Sequence, residues 1–280
     1  VEIRLVQRFQ YAFTYGLRRA LRHWRGLLPL YLLGLLLGLL QTWPLLAAGA
    51  LYNPFLGDLV GGGSDALVNL FLGSPAAAGA TGAWLLVALL LAGLFGLGYN
   101  FFVGGILSIY TDQRAFWAGC RFTFWSFTAL GALLLTLLAL AAIIAGLLGI
   151  VLGSRVAVVA ALLLIQLINV VGEYARVIAV VRERRNPFAL LGAAAAFCAR
   201  HLGGVLTLAL LGLLLHTLLT VLYALATDVL AGSLLALLAQ QLVVLAWLWV
   251  KLLRLAWAAS YVQAEVGAPA SDGSSLVHVV

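Results

Sequence analysis

VAVVAALLLIQLINVVGEYARVIAVVRERR, residues 156–185, decides the fold class. It opens as an unbroken apolar run, is long enough as a helix to cross a bilayer, and ends in a cluster of arginines. Gln166, Asn169, Glu173 and Arg176 are spaced 3, 4 and 3 apart, so on an α-helix they share one face. Bilayer hydrocarbon offers no hydrogen-bond partners, so such a polar stripe is expected to face protein or water. The segment reads as a membrane helix held inside a bundle.

The composition agrees. Of 280 residues, 65% are hydrophobic and only 9% are charged, against roughly 25% charged in a soluble domain. Lys and Arg number 16 against 9 Asp and Glu, a net charge of +7. Beside apolar spans this excess marks the cytoplasmic face of a membrane and not a nucleic-acid partner. Lys251 is the sole lysine, methionine is absent, and Leu, Ala and Gly abound, the pattern of a high-G+C bacterial genome. Residues 1–25 lack the short apolar core and cleavage site of a signal peptide, so the first apolar segment is expected to be a retained span.

Threading outward gives an all-α, polytopic bundle of six spans in one membrane domain, residues 1–263, followed by a flexible tail, 264–280. Residues 3–25 place Ile3, Phe9, Phe13, Leu17 and Leu21 near one helical face among six arginines, which predicts a basic amphipathic helix on the membrane surface. The spans are predicted at 26–50, 83–110, 127–152, 156–181, 205–226 and 229–257. Pro44 lies near the outer end of the first. A long loop, 51–82, carries GGGS at 61–64, and Ser64 is placed to cap a short helix, DALVNLFLG. Further basic surface helices are predicted at 113–126 and 187–201, the second started by Asn186 and Pro187. Gly153-Ser154-Arg155 forms a tight turn between the third and fourth spans. With both termini cytoplasmic, fifteen of the sixteen basic residues lie inside, and Arg155 alone lies outside with Asp58, Asp65 and Asp228.

The chain also repeats itself. ALRHWRGLLPLYLLGLLL from Ala20, AGCRFTFWSFTALGALLL from Ala118 and AFCARHLGGVLTLALLGLLL from Ala196 each run from a surface helix through an arginine into a Leu-rich span. EYARV at 173–177 and KLLRL at 251–255 leave the membrane alike, with a charge at i and an arginine at i+3. The unit is therefore a basic surface helix followed by a transmembrane hairpin, used three times. Arranged together, the three surface helices form a basic, aromatic collar, and Arg182, Arg184 and Arg185 are its candidate contacts to anionic lipid headgroups.

Glu173 stands out among candidate site residues. It lies roughly 13 Å along the helix axis before Arg182, near the inner edge of the hydrocarbon, where a bare carboxylate is costly. Arg176 is its local partner at i+3, and the repeat register brings Lys251 and Arg254 to a matching depth. The set reads either as a charged gate or headgroup site, or as an ion pair fixing the register of two helices. Ala92, Gly96, Asn100 and Gly104 recur every fourth residue and predict a helix-packing seam. His216, Gln240 and Gln241 are further intramembrane polar residues that read as packing groups. Cys120 and Cys198 fall on cytoplasmic segments, where a disulfide is not expected, and two thiols make no zinc site. HExxH, GxxxxGK[ST] and GxSxG are all missing, and GGGS lacks the lysine of a phosphate loop. No catalytic residue, cofactor or metal is expected.

On the runs GGILSIYTDQRAFWAGCRFTF (104–124) and EYARVIAVVRERRNPFALLGAA (173–194), the chain resembles uncharacterised six-span bacterial membrane proteins. In these an acidic-Tyr-Ala-Arg exit precedes an arginine cluster and a surface helix. More loosely, it is similar to the membrane domain that accompanies some glycerophosphodiester phosphodiesterases. The resemblance implies the six-span fold and carries over no activity, because this chain shows no attached hydrolase domain. The expected function is a non-enzymatic inner-membrane protein that binds or moves a lipid or other amphiphile. The alternatives are a structural or accessory subunit that docks a partner, and an intramembrane enzyme.

Overall fold

A computed structural model describes residues 2–51, 75–230 and 234–266, with side chains placed over 9–38, 40, 86–151, 153–225 and 238–265. All regular structure among the described residues is helical. The order is α1 (Glu2–Arg22), a 3-10 turn (Trp24–Gly26), α2 (Leu27–Leu51), α3 (Pro75–Tyr110), α4 (Phe116–Leu152), α5 (Ser154–Val181), α6 (Pro187–Arg200), α7 (Leu202–Leu230) and α8 (Leu234–Val266). Leu and Ala are strong helix formers, and a helix satisfies every backbone polar group within itself, as hydrocarbon demands. Five described stretches are long and apolar enough to cross a membrane: Leu86–Tyr110, Phe116–Val151, Ser154–Val181, Leu202–Leu225 and Leu238–Glu265. The chain is thus a helical, multi-pass integral membrane protein.

The breaks fall where local chemistry stops a helix. Gly153 alone joins α4 to α5, with φ of +93°, a conformation that strains any residue bearing a Cβ, and its N–H bonds Gly149 O at 3.0 Å. Asn186 caps α6, its Oδ1 accepting from Phe188 N at 3.0 Å and Ala189 N at 3.3 Å, with Pro187 in the first turn. Between α3 and α4 and again after α5 the chain turns through Asp112 (φ 54°) and Glu183 (φ 52°), both left-handed. The first of these turns is closed by Gln113 N to Ser108 O at 3.1 Å.

Several boundaries differ from the sequence reading. The surface helix predicted at 113–126 is not a separate element, because Phe116–Leu152 is one helix of 37 residues. Nothing between Arg121 and Gly131 can break it, whereas the corresponding junctions at His23–Gly26 and His201 interrupt the chain. At about 55 Å, α4 is far longer than the hydrocarbon is thick, so its ends project beyond it. Helix α3 starts at Pro75, inside the segment read as a loop. Helix α2, Leu27–Leu51, by contrast covers the range predicted for the first span, with Pro44 inside it. Helix α7 continues to Leu230, past the predicted turn at 227–228, and α8 runs to Val266, taking the first residues of the predicted tail. The helix predicted at 65–73, with GGGS and Asp58, and the remainder of the tail lie outside the described residues.

The chain divides into two compact units, Pro29–Tyr99 and Val1–Leu28 with Asn100–Val280. In the first, α2 meets α3 through Leu33 beside Gly98 and Gly34 at Phe95. In the second, α8 is the hub, packed against α1, α5 and α7, while α5 also packs on α4 and α6. From Val250 to Val262 only Lys251 and Arg254 of α8 escape full burial, and Trp257 is 1% exposed. The opposite halves of the same helices expose Ile150, Val151, Leu162, Leu163, Leu214 and Leu225, surface that only lipid tails cover without cost. The core is therefore gathered at one end of this unit.

Candidate functional site

At that packed end, three ion pairs follow one rule. Arg19 at the end of α1 donates from Nη2 to Asp112 Oδ2 at 2.9 Å, just beyond α3. Arg114, before α4, pairs with Glu183, just beyond α5. His201, before α7, places Nε2 3.6 Å from Glu265 Oε1 at the end of α8. In each case a base is followed in the chain by two further described helices and meets an acid at or just beyond the end of the second. Gln113 Nε2 bonds Val181 O at 3.3 Å, Gln263 Nε2 bonds Thr111 O at 3.0 Å, and Arg19 also reaches Gln263 Oε1. With Asp112 and Glu183 more than half exposed, the first two pairs contribute less than about 1 kcal/mol each and serve chiefly to set position. Sequence reading singled out none of the acids in these clasps. The only signal for them was their placement directly after an apolar span.

Beneath the clasps lies the ion pair of Glu173 and Arg254. Arg254 Nη2 donates to Glu173 Oε2 at 3.0 Å, and the two side chains are 16% and 13% exposed respectively. The stem of Arg254 lies on the backbone of α7 at Gly212, where a Cβ would stand 2.6 Å from Arg254 Cδ. Lys251 and Arg176 bring two more positive charges to bear on the same carboxylate. The pair lines a cleft between α5, α7 and α8 with Val170, Tyr174, Val205, Leu208 and Trp257. The cleft has room for about one water molecule. The Tyr174 hydroxyl is buried and has no hydrogen-bond partner among the described residues.

The other predicted residues are placed as follows. Gln166 is half-buried and Asn169 exposed, and neither lines the cleft, so the polar stripe does not run on as one lining. Shared spacing aligns the residues on α5, but tight burial of that helix starts only at Gly172. Lys251 is exposed and Arg176 half-buried. Arg182, Arg184 and Arg185 are all exposed, and Arg185 lies over the Phe122 ring at 4.9 Å. Trp24 on the 3-10 turn, Trp117 and Trp125 on α4 and Phe188 on α6 are also exposed. In the predicted seam, Ala92 is exposed and a Cβ added at Gly96 would meet nothing within 4 Å among the described residues. Asn100 and Gly104 do pack on α4, at Gly131 and Thr123. The close approach runs instead through Gly104 and Gly105, because small residues on α4 (Gly119, Cys120, Thr123) face both.

His216 is exposed and stacks on Trp247 at 5.3 Å, Gln240 is exposed and Gln241 half-buried. Both cysteines are buried and free, and burial pushes the Cys198 thiol up to about 11. No cluster of three or more His, Cys, Asp or Glu able to hold a metal occurs among the described residues. What the end of the bundle offers chemically is positive charge and aromatic edges at the surface, over one neutralised carboxylate within. No family model, no curated protein and no solved structure matches the chain.

Proposed function

We propose that the chain is a bacterial inner-membrane protein of six spans, threaded as three hairpins with both termini cytoplasmic, that binds or moves an anionic lipid or similar amphiphile without catalysing a reaction. Helix α2, at 25 residues, has the length of a sixth span, and the base-to-acid clasps recur once per hairpin. The observation that carries the function is the loop after α5. There Arg182, Arg184 and Arg185 are exposed together, with Arg185 over the Phe122 ring and exposed Phe188 three residues on, a pairing of charge and ring that suits the headgroup layer. Arginine clusters next to a span attract anionic headgroups by roughly 1 kcal/mol per charge.

Changing these three arginines to glutamine is expected to lower anionic-lipid retention by the purified protein, counted by native mass spectrometry. Unchanged retention would return the protein to the second reading, a scaffold or accessory subunit. That reading has one observation in its favour: the cleft at Glu173 is nearly filled, as befits a pair that only locks helix register.

A further inference from the structure

The loop between α5 and α6 is short, basic and tied down along its length. Val181 O accepts from Gln113 Nε2 at 3.3 Å, and Glu183, in its left-handed conformation, pairs with Arg114. Two residues on, Arg185 is drawn onto α4, its Cζ 4.9 Å from the centre of the Phe122 ring. Arg114 shares that ring from 3.8 Å, so one side chain holds both the partner of Glu183 and the last arginine of the loop. Asn186 then closes the loop by capping α6. A loop ordered before its ligand arrives loses less entropy on binding than a mobile one. Arg182 and Arg184 are exposed and make no ion pair or side-chain hydrogen bond among the described residues. Arg114, Arg182, Arg184 and Arg185 thus stand against the single carboxylate of Glu183. A headgroup with one phosphodiester answers one of the remaining charges. A headgroup with two phosphodiesters, joined by a three-carbon bridge, answers two and suits a row of cations that spans at most about 10 Å of chain. Aromatic side chains place the row at the headgroup layer. Phe188 is exposed at the start of α6, and on α4 exposed Trp117 and Trp125 lie one turn either side of exposed Arg121, which precedes Phe122.

We propose that the α5–α6 loop, anchored through Phe122 and Glu183, is a preorganised seat for a phospholipid that carries two phosphodiesters, as cardiolipin does. The proposal rests on the lipid-binding reading above and names its ligand. The loop arginines bind the phosphates, while Phe122 and Glu183 are positioning residues that fix where those arginines stand. A diffuse basic patch makes a different demand. It responds to the number of charges alone, and how its arginines are held is immaterial.

The test uses the full chain in neutral detergent, with cardiolipin and phosphatidylglycerol competing at equal phosphate concentration and the bound lipids counted by native mass spectrometry. The wild type is expected to prefer cardiolipin, and absence of that preference overturns the proposal. Phe122→Leu keeps every charge and is expected to lower the preference about fivefold, the worth of an exposed cation–ring contact. Glu183→Gln adds one positive charge to the loop while releasing Arg114, and is expected to lower the preference about threefold, in line with a surface ion pair. Glu183 is exposed, so this variant keeps its fold even if Phe122→Leu does not. A charge-counting patch gives the opposite sign, because the added charge strengthens binding of both lipids and of the doubly charged one more. Unchanged preference in folded Phe122→Leu therefore overturns the proposal, as does a preference that holds or rises in Glu183→Gln. Displacement of cardiolipin by millimolar inorganic pyrophosphate, with chloride of matched ionic strength leaving it bound, overturns the lipid assignment and makes a soluble diphosphate the ligand. If the triple arginine variant loses both lipids while these two variants keep the wild-type preference, the surface reading stands and only the two-phosphate assignment falls.

Discussion

Replacing Gly16 by alanine is expected to loosen α1 from α8. A Cβ at Gly16 would stand 2.7 Å from Trp257 Cδ1 and 3.0 Å from both Ala256 O and Trp257 Cα. Two of these three atoms are backbone. The third belongs to a ring that stacks on Phe13 at 5.4 Å and donates its N–H to Phe13 O at 3.2 Å. None can move without separating the helices. Overpacking of this kind costs about 1–3 kcal/mol, while alanine in place of glycine within a helix returns about 1 kcal/mol. Gly192→Ala on α6 supplies the control, because a Cβ there meets no atom within 4 Å among the described residues and only the helical gain remains. The propensity contributions cancel between the two variants, so Gly16→Ala should be the less stable by the overpacking cost alone. For a chain of this size that separates their melting points by several degrees, at about 2–4 °C per kcal/mol. Tryptophan fluorescence during heating in detergent reads this directly. A Gly16→Ala protein that melts at or above Gly192→Ala would refute the contact.

Two further outcomes test the packed end of the bundle. Asn186→Ala removes the cap that holds Phe188 N and Ala189 N, and should cost about 1 kcal/mol. Amide exchange over the first turn of α6 should quicken accordingly, and unaltered protection there would count against the cap. Because burial raises the Cys198 thiol to about 11, almost none of it is thiolate at neutral pH. In a Cys120→Ala background, maleimide labelling should be slow near pH 7, speed up as pH climbs toward that value, and become fast on unfolding. Rapid labelling of the folded protein at pH 7 would contradict the buried placement.

Membrane class, helix content and several helix ends were legible in the sequence because they depend on local chemistry. The run at 156–185, the glycine at 153 and the Asn186-Pro187 pair carry their meaning within a few residues. Register between distant segments was legible only where the chain repeats. Aligning 173–177 with 251–255 brought Glu173 and Arg254 to the same depth, although spacing alone also offered Arg176 as partner. The structure supplies the cross-helix contact that selects Arg254. Junctions at which a repeat degenerates were not legible. The copy at Ala118 shares the arginine of its relatives but not their helix-breaking residues, so surface helix and span fuse. The clasps were out of reach for a different reason. Asp112 and Glu183 look like ordinary loop acids until folding brings Arg19 and Arg114 to them from 93 and 69 residues away. The seam was half legible, since periodicity finds small residues on α3 but says nothing of where the glycine and threonine of α4 lie.

The grip of α8 on α1 has a temporal consequence. Phe13 and Trp257, like Arg19 and Gln263, are 244 residues apart in the chain. At a synthesis rate of 5–20 residues per second, α1 waits about 10–50 s for its partner residues on α8 to be made. Throughout that interval its buried face of Ala12, Gly16 and Ala20 is without the surface that covers it in the finished protein. A nascent chain halted before residue 250 therefore presents an unsealed α1 to the cell's quality-control machinery.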